Sequence, residues 1–130
     1  MRLGKNLPLS LAALTITTGL LITTASAEAA ATPAAVASGI DTTVDGGSNL
    51  RGGPHLNSYL VGTTKGKSEF AVQCYKRGDY YNDGKHHTDV WYYGTVFDTH
   101  DNPEHVYYDV YSWGGNVNTP HDPPAGLSKC

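Results

Sequence analysis

Cysteine is scarce in this chain: 130 residues contain only Cys74 and Cys130, together with a single methionine. There is no C-x-x-C pair and no H-E-x-x-H run, so the spacings that mark structural zinc sites and zinc hydrolases are missing. A Gly-x-Ser-x-Gly elbow, a P-loop and a paired-carboxylate pattern are also absent, which leaves no nucleophile, phosphate cradle or glycosidase dyad. No catalytic residue, metal ligand or cofactor is therefore expected. Lysine and arginine are few and nowhere clustered, so the chain has no electrostatic footprint for nucleic acid.

Long apolar runs are missing as well, except at the start. Arg2 and Lys5 precede an apolar stretch from Leu7 to Ile22, and Ala25-Ser26-Ala27 forms a small-x-small cleavage site. This predicts a secretory signal peptide over residues 1–27. A membrane anchor is the alternative, but the stretch falls short of the roughly 20 residues that a spanning helix needs. No cysteine follows it to take a lipid. Without Arg2 and Lys5, seven basic residues face twelve acidic ones, a balance of −5, and no membrane association is expected after cleavage.

Export implies an oxidising compartment, where two cysteines allow one intramolecular pairing, Cys74 with Cys130. Closing that loop of about 57 residues should raise the free energy of the unfolded chain by roughly 4 kcal/mol. An intermolecular bridge in a covalent dimer is the alternative to the expected monomer. Residues 28–48 are rich in alanine, then threonine and glycine, with only Val36, Ile40 and Val44 as sizeable apolar side chains. A flexible leader is expected there, with an edge strand over Ile40 to Val44 as the alternative.

Beyond the leader the pattern is that of short strands and turns. Gly66 to Cys74 alternates strictly, with Phe70, Val72 and Cys74 on the expected inward parity. Tyr75 to Thr88 is expected to be a polar excursion containing the Asp83-Gly84 turn signal. Val90 to Phe97 and Val106 to Trp113 should form a hairpin around Asp101-Asn102-Pro103. Gly114 to Leu127, with Pro120, Pro123 and Pro124, is expected to be an irregular tail tethered by the disulfide.

Asn49-Leu50-Arg51-Gly52-Gly53-Pro54, then Tyr59-Leu60-Val61-Gly62, then Lys65-Gly66 and an alternating strand resemble the opening of bacterial SH3-like (SH3b) domains. Gln73-Cys74, Gly78, Asp89-Val90-Trp91 and Asp109-Val110-Tyr111 extend the similarity to short secreted SH3 domain-containing proteins of actinobacterial type. His105-Val106-Tyr107 departs from the Gly and Val usual before the last strand, which puts that strand's register in question. The resemblance implies an all-β fold, a small SH3-like partly open barrel of five to six short antiparallel strands over residues 49–113, with one disulfide. It also implies a non-catalytic secreted module that binds cell-wall peptide or glycan.

Aromatic residues are abundant between Tyr59 and Trp113, and a domain this small has one core face. Some rings should therefore remain at the surface, where a flat apolar face with a polar edge suits sugars and peptides. The expected ligand contacts are Tyr59, Tyr80, Tyr81, Trp91, Tyr93, Tyr107 and Tyr111, although Trp91 suits the core as well. Three other readings stay open. Gly115 to Pro124 could be presented as an inhibitory loop toward another secreted protein, His86, His87 and Asp89 could meet His100 and Asp101 around a metal, and Arg77-Gly78-Asp79 is an adhesive tripeptide.

Overall fold

The computed structural model describes residues 39–130. The expected signal peptide and the leader up to residue 38 lie outside the described residues. Six strands follow in order: β1 (Ile40–Val44), β2 (Asn49–Arg51), β3 (Leu60–Thr63), β4 (Ser68–Asn82), β5 (His87–Asp98) and β6 (His105–Trp113). They form one antiparallel sheet in the order β1-β4-β5-β6-β2-β3. The fold is all-β, and Cys74 is bonded to Cys130 with their Cα atoms 4.9 Å apart.

The sheet curls. β1 and β2 stand four places apart in the strand order, yet a tight turn at Asp45–Ser48 joins them. Gly47 takes a φ of +78° there, which only glycine adopts without cost. Thr64 ties that turn to the next, since its N–H donates to Ser48 O and Gly47 N–H donates to Thr64 O. The interior encloses Val44, Leu50, Phe70, Val72, Val90, Tyr92, Val96, Tyr107 and Val110. Each fully buried side chain of this kind contributes about 1.5–3 kcal/mol.

The ordered region begins earlier than Asn49. Residues 40–44, expected within a flexible leader, pair with Ser68–Val72 as an edge strand, and Val44 is fully buried. The alternative reading of that stretch is the one adopted, because a partner strand supplies the hydrogen bonds and apolar cover that the local composition lacks. The polar stretch after Cys74 is also strand: β4 continues to Asn82, paired with β5 through Tyr81↔Thr88 and Asn82↔His87. Gly84, at a φ of +94°, turns this hairpin as the Asp-Gly signal predicts.

Two bulges reset which residues face inward. One, between Val72 and Cys74, ends the simple alternation of β4. Phe70 and Val72 face the core, but Cys74 lies opposite Tyr93 and Tyr75 takes over the inward row against the core. The expectation that Cys74 continues the inward row is thus corrected. The second falls in β6, where Gly94 pairs with Val110 but Val96 with Tyr107, and Asp109 has a φ of +56°. The extra residue turns Tyr107 into the core at 8% exposure and leaves Tyr108 outside at 71%. This resolves the register of the last strand.

The tail after β6 is irregular but held down. A 3-10 turn (Gly114–Asn116) leads to Val117, which bridges Val44, and Asn118 N–H donates to Thr43 O. The Tyr92 hydroxyl donates to Asp122 Oδ1 at 2.6 Å, and burial, then this carboxylate, raises the phenol's pKa. Leu127 enters the core, and Lys129 forms a parallel bridge with Tyr75 beside the disulfide.

Among the described residues one buried side-chain atom lacks a partner. Ser112, fully buried between Tyr92 and Leu50 in the sheet, has a hydroxyl without a hydrogen-bond partner. Removing that group should not destabilise the fold, since an unpaired buried hydroxyl costs about 1–3 kcal/mol. Ser112→Ala is expected to leave stability unchanged or raise it by up to about 1 kcal/mol. Urea unfolding checks this, and a lowered midpoint would reveal a bond that the hydroxyl makes in solution.

Candidate functional site

Directly paired residues share a face of the sheet. Opposite the core, Trp91 therefore pairs with Trp113 and Tyr93 with Tyr111, giving a ladder of four aromatic residues across β5 and β6. The two indoles are nearly enclosed, at 1% and 5% exposure. Their N–H groups are satisfied: Trp91 Nε1 donates to Asp79 O at 2.9 Å, and Trp113 Nε1 to Thr88 O at 3.0 Å. Tyr81, from the long hairpin, meets Trp113 edge-on with ring centres 5.1 Å apart. Tyr93 and Tyr111 lie 4.9 Å apart, and burial, then the nearby Asp109 carboxylate, raises the Tyr93 pKa.

The connection between β2 and β3 folds back toward these indoles because Asp79 captures it. Asp79 N–H donates to Pro54 O, while its carboxylate accepts Leu56 N–H at 2.9 Å and meets His55 Nδ1 at 3.1 Å. The His55 bond, then the Leu56 N–H, lowers the Asp79 pKa. Gly78 is required by this approach, since a Cβ there would lie 1.9 Å from Pro54 O. Arg51 fixes the other side of the connection by donating from Nη1 to Ser58 O at 2.9 Å.

These segments enclose a cleft of about 360 Å³ lined by Asn49, Arg51, Leu56, Tyr81, Trp91, Trp113 and Asn116. Leu56 and Tyr81 form its exposed rim, at 42% and 43%. Arg51 is the one charged residue in the lining, and no carboxylate shares it. Two larger hollows, of about 490 and 470 Å³, run along β1 and β4. Neither is lined by a tyrosine or tryptophan, so they lack the flat amphipathic surface found in the smaller cleft.

The structure brings together Tyr81 and Trp91 in the cleft and sets Tyr93 and Tyr111 on the adjacent rung. Trp91 is enclosed floor, with almost no ring left to touch a ligand. Tyr107 is a core residue, turned inward by the β6 bulge, so the expectation of a ligand contact there is corrected. Tyr59 and Tyr80 are exposed at 74% and 59%, outside the cleft lining. Missing from the expected set are Arg51, Leu56, Trp113, Asn49 and Asn116. In the sequence Asn49 and Arg51 belong to the motif over residues 49–54, and nothing local links them to the indoles.

The adhesive tripeptide is consumed internally. Arg77 pairs with Asp89 at 2.6 Å, Gly78 lies under Pro54, and Asp79 holds the β2–β3 connection. The metal reading fails on distance: His87 and Asp98 bound the 12 residues of β5, about 36 Å of extended strand. Among the described residues no group of three or more His, Cys, Asp or Glu side chains gathers to hold a metal ion, and no helix is long and apolar enough to cross a membrane. Comparison with protein-family models, with curated proteins and with solved structures finds no match to this chain.

Proposed function

We propose that this chain is a secreted, non-catalytic SH3-like binding module for cell-wall peptide or glycan, and that the Arg51–Trp113 cleft is its ligand site. The observation that carries the proposal is the rim of Leu56 and Tyr81, held open over two enclosed indoles that are fixed by their own N–H bonds. A preformed apolar cleft with a few polar groups binds at low ordering cost. Secretion is supported by the apolar start of the sequence and by the disulfide, which persists in oxidising compartments.

An inhibitory role for Gly115 to Pro124 has less support. Val117 is buried, Tyr92 holds Asp122, and Asn118 is bonded to β1, so this stretch straps the fold rather than projecting from it. Purified peptidoglycan should retain the protein above a charge-matched control. Tyr81→Ala and Leu56→Ala should each reduce retention about fivefold, the effect of losing roughly 1 kcal/mol of contact energy. Tyr80→Ala, outside the cleft lining, should leave retention unchanged. Retention no greater than the control's would end the proposal.

A further inference from the structure

We infer that the cleft takes the end of a short peptide bearing a free carboxylate, with Arg51 as the group that holds it. This rests on the binding role proposed above and names the chemistry of the ligand.

Arg51 brings five N–H donors in a planar fork, and the structure gives it one bond, from Nη1 to the Ser58 carbonyl. That bond positions the guanidinium without neutralising it. The chain as a whole is acidic, with twelve carboxylate residues against nine basic ones, yet among the described residues no carboxylate pairs with Arg51 or lines the cleft. The carboxylates nearest on neighbouring elements are engaged elsewhere: Asp79 by His55 and Leu56 N–H, and Asp89 by Arg77.

Asn49 adds to the excess of donors. Its Oδ1 already accepts the Thr63 hydroxyl at 3.0 Å, and its exposed amide N–H groups are left to face solvent or a ligand. A cleft with surplus donors and one unneutralised guanidinium favours an acceptor that carries charge. A carboxylate fits the fork with two parallel bonds and neutralises it, whereas a neutral sugar hydroxyl brings no charge to the guanidinium. Leu56 and Tyr81 then cover small apolar side chains next to that carboxylate. The cleft volume is near the lower end of the roughly 300–1,000 Å³ usual for ligand sites, which suits a chain end better than a polymer passing through.

The test is a calorimetric titration of the purified protein with acetyl-alanyl-alanine, with the C-terminal amide of that dipeptide, with a tetramer of N-acetylglucosamine and with inorganic phosphate. The free acid should bind at least tenfold more tightly than each of the other three. Arg51→Gln, which also gives up the bond to Ser58 O, should bring acid and amide to equal affinity, and the comparison of acid with amide in the unaltered protein tests the charge apart from any collapse of the cleft. Equal binding of acid and amide, or tighter binding of the tetramer or phosphate, would overturn the inference. Retention on peptidoglycan distinguishes this from failure of the broader proposal. Equal retention on intact wall and on glycan stripped of its peptides would remove the carboxylate and keep wall binding. Acid binding without wall retention would keep the Arg51 site and remove the wall role, and failure of both would remove both.

Discussion

Replacing Cys74 and Cys130 together by serine should lower the stability of the folded domain by about 4 kcal/mol, against a total of roughly 5–15 kcal/mol for a domain of this kind. The bond closes a loop with a sequence separation of 56, and that loop contains β5 and β6. Its loss would free the unfolded chain. It would also weaken the folded one, because Leu127 in the core and the bonds of Tyr75 to Ser128 and Cys130 depend on the tail staying in place. The tail therefore cannot be removed as a clean test of partner binding. Urea unfolding of the double variant and of the oxidised parent measures the effect, and a difference under about 1 kcal/mol would show that the tail's other contacts suffice.

Asp98→Ala should cost roughly 2–4 kcal/mol at neutral pH. The Asp98 side chain is fully buried and accepts N–H bonds from Lys65 at 2.7 Å and His100 at 3.0 Å. It thereby ties the turn before β4 to the turn after β5. Burial pushes its pKa up, but the bonds from Lys65 and then His100 outweigh that, and the net direction is downward. Its contribution is thus complete above the unfolded carboxylate's pKa, about 4, and is lost as pH falls through the lower folded value. The gap between parent and Asp98→Ala in urea midpoint should be widest near pH 7 and narrow toward pH 3. Asp98→Asn, which keeps one acceptor, should fall between them. A gap that does not change with pH would mean that the charge is not what matters.

Much of the fold is legible because its signals are local. Val90 to Phe97 and Val106 to Trp113 are dense in strand formers and flank turn residues, and they form the β5–β6 hairpin. Asp83-Gly84 marks a turn, and two cysteines leave one internal pairing. What escapes is set by distant partners. Ile40–Val44 has too little apolar surface to be a strand alone and becomes one only against Ser68–Val72. Tyr107 and Tyr111 look equivalent along the chain, and only the extra residue at the β6 bulge separates core from surface. The cleft is hidden most completely, because Asp79 must first draw back a connection more than twenty residues earlier in the chain.

The surplus of rings is real: Tyr59, Tyr80, Tyr81 and Tyr108 remain substantially exposed, while Trp91, Tyr92, Tyr107 and Trp113 are enclosed. The surface and the interior draw on the same residue types, and neighbouring aromatics are assigned to opposite sides by backbone geometry alone.

The additional residue at the β6 bulge works like a frame marker in the side-chain pattern. Deleting Asp109 alone would remove the extra residue and make the ladder regular, with Tyr108 opposite Thr95 and still outward and Tyr107 still opposite Val96 in the core. A homologue one residue shorter at this point would keep the same ordering of apolar and polar side chains from His105 to Tyr108. An alignment that allows no gap at Asp109 would set every pair on one side of the bulge out of step with such a homologue, even with the same sheet beneath.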